Sequence, residues 1–245
     1  MARAGIGAEV EGIHAVTAAV AAGRVERLVV EESRANGLGD LIESAQSAGA
    51  GVEFVEDVRA IAASSAPQGV LAECRPISPV PLEVAIRRSS PTALVVLDHL
   101  EDPRNVGAIA RSALAAGFSG IVMSGNRAAP LGASAFKAGA GSFEHIDLVV
   151  VGSIAAAVDD LKRHDVWTVG LDGGGDQSLF GLSLLTEPVA IVLGAEGAGL
   201  SRLVAERVDV LAAIPLDSRV ESLNASVAAA LALFEVARIR ATSSQ

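Results

Sequence analysis

The sequence has no tyrosine, one tryptophan and six phenylalanines, so aromatics make up 3% of its 245 residues. That scarcity limits base stacking, so any contact with nucleic acid leans on Arg, backbone groups and shape. There is one cysteine, Cys74, which excludes an intrachain disulfide, fits a reducing cytoplasm and, with no CxxC partner, reads as a packing residue. Lysine is nearly absent: Lys137 and Lys162 stand against seventeen arginines. The net charge of −10 argues against a protein that coats nucleic acid nonspecifically and leaves a local basic patch open. Mean hydropathy is high, at +0.46, yet no run of about 18 apolar residues exists. A membrane span is therefore not expected, and Met1–Gly5 does not read as a signal peptide. His14, His99, His145 and His164 lack metal-ligand spacing, and no P-loop, HExxH or Ser-His-acid arrangement is found. No metal is expected.

What is present is an α/β pattern in two parts. Residues 9–74 alternate short elements: helices over His14–Ala22, Gly39–Ala48 and Val58–Ala63, and strands over Arg27–Glu31, Val52–Val55 and Gly69–Glu73. Arg75–Pro91 carries Pro76, Pro79, Pro81 and Pro91 and reads as a linker or crossing segment with a short helix over Leu82–Arg88. We place the domains at 1–75, a Pro-rich linker at 76–91, and a second domain at 92–245. In the second domain, Ala93–Leu97, Gly120–Met123, Ile146–Val151, Val166–Leu171, Val189–Leu193 and Val210–Ile214 are continuous apolar runs, as in parallel strands buried on both faces. Helices are expected over Val106–Ala116, Ala133–Gly139, Ser153–Arg163, Ser201–Glu206 and Ala225–Ile239.

Three motifs sit where these strand-like runs give way to loops. The first is Asn105-Val106-Gly107-Ala108-Ile109-Ala110-Arg111, in which Asn105 also reads as a helix cap and Gly107 implies close approach of a backbone or a ligand. The second is Leu193-Gly194-Ala195-Glu196-Gly197-Ala198-Gly199-Leu200, whose glycine spacing differs from the dinucleotide order. A nicotinamide-type oxidoreductase is excluded on that ground. The third is Ile214-Pro215-Leu216 followed by Ser222-Leu223-Asn224-Ala225-Ser226-Val227-Ala228, where Ser222 or Asn224 would also cap the last helix. Gly173-Gly174-Gly175 reads instead as a flexible turn outside the site.

Together the motifs resemble the SpoU (TrmH) family of RNA ribose 2′-O-methyltransferases of the SPOUT class. The family patterns Asn-x-Gly-x-x-x-Arg, Gly-x-Glu-x-x-Gly-Leu and Ile-Pro-Met…Ser-Leu-Asn-x-Ser-x-Ala are met in order. Gly12-Ile13-His14-Ala15-Val16 and Gln68-Gly69-Val70 resemble the L30e-like substrate-binding domain of the bacterial large-subunit rRNA guanosine methyltransferases. The resemblance implies a small L30e-like α/β domain, then an α/β SPOUT domain with a parallel sheet and a trefoil knot. It implies S-adenosylmethionine as cofactor, contacted by Gly194, Ile214 and Leu223 and enclosed by Leu193, Leu216 and Gly199. It places Arg111 at the reaction centre with Asn105, Glu196, Ser222 and Asn224. It further implies an RNA substrate, rRNA foremost, a homodimer, a cytoplasmic enzyme, and no DNA or membrane partner. A tRNA ribose methyltransferase and a non-catalytic RNA-binding scaffold are the alternatives. Three positions depart from the family pattern: Leu216 for Met, Ser218 for Gly, and Pro67 for the His before Gln-Gly.

Overall fold

Every residue of Ala93–Leu97 and of Val189–Leu193 is buried. A strand buried on both faces must lie inside a sheet covered on both sides. The computed structural model, which describes residues 5–64, 66–125 and 131–243, places these two runs side by side, from Val189 opposite Ala93 to Leu193 opposite Leu97. The described residues fall into two compact units. One takes in residues 5–64, 66–78, 106–111 and 131–145, and the other residues 79–105, 112–125 and 146–243.

The first unit runs β1 (Glu9–Glu11), α1 (Ile13–Ala21), β2 (Val25–Glu31), α2 (Gly39–Ser47), β3 (Gly51–Val55) and β4 (Val70–Cys74). Its sheet has the order β1-β4-β2-β3, with β2 and β3 parallel and the other pairs antiparallel. Val10, Val16, Leu28, Val30 and Ala72 are fully buried, and Cys74 is buried with them. The helix expected over Val58–Ala63 is only a 3-10 turn, Val58–Ala60. The reason lies in Glu11, whose buried carboxylate accepts hydrogen bonds from the amides of Ala63, at 2.5 Å, and Ser64. Those amides are thereby taken out of any continuing helix.

The chain continues through α3 (Leu82–Ile86), β5 (Ala93–Leu97), α4 (Pro103–Ala115), β6 (Gly120–Ser124) and α5 (Ala133–Gly139). It ends with β7 (Asp147–Val151), α6 (Ile154–Arg163), β8 (Trp167–Leu171), β9 (Gln177–Ser178), β10 (Val189–Leu193), α7 (Arg202–Ala205), β11 (Val210–Ala213) and α8 (Ala225–Ser243). The second unit's sheet is parallel throughout, in the order β7-β6-β5-β10-β8-β11-β9. Leu82, Ala85 and Ile86 of the proline-rich segment pack into its core with Leu94, Val96, Val122 and Val158. Caps explain the helix ends. Ser153 accepts from the Ala156 amide at the start of α6, and Lys162 and Arg163 occupy its last turn, where cations suit the helix dipole. No helix among the described residues is long and apolar enough to cross a membrane.

The register fixes where chemistry can gather. Leu97, Leu171, Leu193 and Ala213 end their strands at the same edge of the sheet. In parallel sheets, the loops leaving that carboxyl edge form the ligand crevice.

Candidate active site

The loop after β10 is the tightest element at this edge. Ala195 and Gly199 exchange two backbone hydrogen bonds, 3.0 and 2.9 Å, and close a turn around Glu196–Ala198. A Cβ on Gly194 would stand 2.0 Å from the Gly199 carbonyl carbon and 2.3 Å from the Leu200 amide nitrogen. Only glycine permits that crossing.

The turn is anchored from β5. The fully buried Asp98 donates its backbone N–H to the Leu193 carbonyl at 2.7 Å. Its carboxylate accepts the Ser201 amide at 2.7 Å through Oδ2 and meets His99 Nδ1 at 2.6 Å through Oδ1. A buried carboxylate is stable only with such partners. Asp98 therefore ties the ends of β5 and β10 to the start of α7. It was not among the residues singled out in the sequence; the signal that marks it is a charge directly after an all-apolar run.

The first motif opens α4. The cap is Asp102, not Asn105: the Asp102 carboxylate accepts the Arg104 amide at 2.8 Å, and Pro103 takes the first helical position. Proline has no N–H to satisfy and is pre-shaped for that place, so it moves the helix start forward. Asn105 thereby lies in the first turn with its side chain free. Asn105 Nδ2 donates to Glu196 Oε1 at 2.5 Å, and Asn105 Oδ1 accepts from Asn224 Nδ2 at 3.2 Å. Asn224 Oδ1 accepts from the amide and hydroxyl of Ser226, at 2.9 and 2.6 Å, capping α8. All three motifs thus meet in one chain of hydrogen bonds. Its direction is set at both ends, because a carboxylate accepts and the first amides of a helix donate.

Beside this chain lies a cavity of about 370 Å³. Among its lining residues are the predicted Leu193, Gly194, Glu196, Gly199, Ile214, Leu216, Ser222 and Leu223. The lining also takes in Leu171, Asp172, Gly173 and Gly174, the last residue of β8 and the loop that follows it. Gly173 and Gly174 therefore belong to the site and not to a turn outside it. The reason is register: β8 ends beside β10, so the loop that follows it faces the same crevice. The Asp172 carboxylate shapes that loop by accepting the Gly174 amide at 2.8 Å.

Arg111 and Gly107 are not among the lining residues. Arg111 is exposed on α4 and has no ion-pair partner among the described residues. A Cβ on Gly107 would stand 2.2 Å from the Ala135 carbonyl oxygen and 2.8 Å from the Gly139 amide nitrogen, so the close approach at Gly107 is made by the backbone of α5. Among the described residues, no group of His, Cys, Asp and Glu is arranged to hold a metal ion.

Residues 92–234 match the family profile described as SpoU rRNA Methylase family, and residues 10–80 that described as RNA 2′-O ribose methyltransferase substrate binding. The chain is 36% identical over 237 residues to the 23S rRNA (guanosine-2′-O-)-methyltransferase RlmB of Coxiella burnetii, covering 94% of each protein. It is 44% identical over 147 residues to RlmB of Yersinia pestis, covering 60% of this chain and 59% of that protein. Among solved structures, the SpoU methyltransferase AviRb from Streptomyces viridochromogenes in complex with AdoMet superimposes with a TM-score of 0.81. The identity is 25%, over 96% of this chain and 90% of that one.

Proposed function

The chain belongs to the SpoU rRNA methylase family, and from that premise we propose that it transfers a methyl group from S-adenosylmethionine to a ribose 2′-OH of RNA, at a guanosine of large-subunit rRNA. The observation that carries this reading is that the second and third motifs line one cavity at the carboxyl edge of a parallel sheet and that Asn105 of the first is hydrogen-bonded to both. The RlmB of Coxiella burnetii, matched over 94% of this chain, supports the substrate.

The cavity fits the cofactor. Its volume suits a nucleoside-sized ligand, leucine and isoleucine side chains offer faces to a flat ring, and the glycine turn offers backbone groups to ring edges. Gly194, Ile214 and Leu223 hold the ligand, and Leu193, Leu216 and Gly199 wall it. When bound, S-adenosylmethionine supplies a methyl group already activated by its sulfonium.

The task left to the protein is to align the ribose hydroxyl and to lower the cost of its deprotonation. Glu196, Asn105 and Asn224 act as one hydrogen-bonded unit that fixes the glycine turn against α4 and α8. Ser222, exposed on the cavity lining, offers a hydroxyl to the substrate. A guanidinium keeps its proton in proteins. The role that fits Arg111 is therefore to grip the adjacent phosphate and polarise the 2′-OH, with the proton passing to that phosphate or to water. The match of residues 10–80 to a substrate-binding profile supports RNA recognition by the front of the chain.

The enzyme is a cytoplasmic homodimer with a trefoil-knotted C-terminal segment in this reading. Val227, Leu231 and Phe234 recur on one face of α8 and are 48%, 39% and 49% exposed, a stripe of apolar surface that a second copy would cover. The experiment is a transcriptome-wide map of ribose methylation with and without the gene. Loss of one 2′-O-methylguanosine in large-subunit rRNA supports the reading. Loss confined to tRNA, or no loss, rejects the substrate.

A further inference from the structure

The cavity has a one-sided charge. Its ionisable lining residues, among the described ones, are Asp172, Glu196 and Glu221, and none is Arg, Lys or His. The three carboxylates differ in their freedom. Glu196 is engaged by Asn105. Glu221 is exposed on the loop before α8. Asp172 is half-buried at the end of β8, and its Oδ1 is held by the Gly174 amide. Asp172 Oδ2 has no hydrogen-bond partner among the described residues. It lies 3.9 Å from the point where a Cβ on Gly199 would be, so it sits next to the glycine turn within the cavity lining. An unpartnered carboxylate oxygen in a cavity lining offers a cation an attractive place.

We propose that Asp172 is a specificity-determining residue, which makes the cavity prefer the cationic methyl donor to its neutral product. The inference rests on the reading of this cavity as the S-adenosylmethionine site. S-adenosylmethionine carries a carboxylate, an ammonium and a sulfonium, a net charge of one positive unit. In the transfer the methyl C–S bond breaks with its electron pair left on sulfur, a C–O bond forms to the ribose, and the hydroxyl proton departs. S-adenosylhomocysteine is therefore neutral overall. The two ligands share the adenosine and the amino-acid tail, so apolar walls and backbone groups hold them alike. A lining whose charged side chains, among the described residues, are all carboxylates holds only the charged form more tightly. The same residue thus favours loading of the donor and release of the spent product.

The test is calorimetric titration of the full chain with S-adenosylmethionine, S-adenosylhomocysteine and sinefungin, whose amine restores a positive charge near the sulfur position. Asp172→Asn keeps an oxygen for the Gly174 amide and removes the charge. Affinity of D172N for S-adenosylmethionine and sinefungin should fall about tenfold, or about 1.4 kcal/mol. Affinity for S-adenosylhomocysteine should stay within about twofold. Added salt should narrow the wild-type preference. Equal losses for all three ligands would mean that Asp172 shapes the loop or meets the ammonium they share, and would overturn the proposal. So would unchanged affinities, or a larger effect from Glu221→Gln than from D172N. A wild-type chain that binds none of the three refutes the cofactor reading itself; binding that ignores ligand charge refutes only the proposal.

Discussion

Gly194→Ala is the substitution with the most sharply defined cost. The added methyl would sit 2.0 to 2.3 Å from three backbone atoms of Gly199 and Leu200, none of which belongs to a side chain that can swing away. Relief requires the strands of the turn to separate, which opens the two Ala195–Gly199 hydrogen bonds. Their loss costs about 0.5–1.5 kcal/mol each. Overpacking adds about 1–3 kcal/mol. The sum, about 2–6 kcal/mol, falls on the turn that walls the cofactor cavity. If the turn opens while the sheet stays folded, cofactor affinity falls by at least about 30-fold. If the strain stays in the folded protein, the melting temperature drops by about 2–4 °C for each kcal/mol. Gly197→Ala is the control. Its Cβ would meet nothing within 4 Å, and only its φ of 77° opposes a side chain, at about 1–2 kcal/mol. Calorimetry with S-adenosylhomocysteine and a thermal melt on both variants separate the cases. G194A with affinity within about threefold of wild type and an unchanged melt would refute the geometry of the turn. Equal effects of the two substitutions would refute the argument from close approach.

Further outcomes follow from other parts of the molecule. Arg111→Ala should reduce single-turnover methyl transfer to near background while cofactor affinity stays almost unchanged, and Arg111→Lys should rescue it poorly because one ammonium cannot copy the planar fork; wild-type rates would remove Arg111 from the reaction. Glu235 is held below its ordinary range, first by hydrogen bonds from Arg238 and then by the Gly181 amide, against the opposing effect of burial. A depressed carboxyl contributes stability above its unfolded value of about 4.5 that is lost as pH falls through the lower folded value. Melting temperature should therefore fall more steeply with acid in wild type than in Glu235→Gln, and parallel curves would refute the linkage. Phe234→Glu places a charge in the exposed stripe of α8 and should convert a dimer to monomers by light scattering; a monomeric wild type would refute the dimer.

Much of this architecture was legible in the sequence, for a definite reason. Ala93–Leu97 and Val189–Leu193 have the bounds expected of them because strands buried on both faces admit no polar residue, so their ends are sharp. Ala133–Gly139 likewise matches its expected span. The elements not foreseen are those whose stability is not local. β1 is three residues with two glutamates, and it exists because β4 offers an antiparallel edge. The 3-10 turn at Val58–Ala60 stops short because Glu11, some 50 residues earlier, takes the following amides. The site shows the same division. The three motifs were visible as residue patterns, but the link from Asn105 to Glu196 spans 91 positions and depends on β5 and β10 being neighbours. Asp98 and Asp172 escaped notice because each is a single charge after an apolar run, and only the strand order shows that both runs end beside β10. Asn105 has a residue type that suits a cap as well as a site, but Pro103 at the first helical position sets the helix start at Asp102.

The central claim is that the cavity at the carboxyl edge of the parallel sheet serves methyl transfer to a ribose. It is tested most directly by incubating the purified chain with methyl-tritiated S-adenosylmethionine and unmodified large-subunit rRNA, then digesting the RNA to nucleosides. The account predicts label in 2′-O-methylguanosine at a single position, and none when Arg111 is replaced by alanine. Label on a base, or no label with cofactor demonstrably bound, would contradict it.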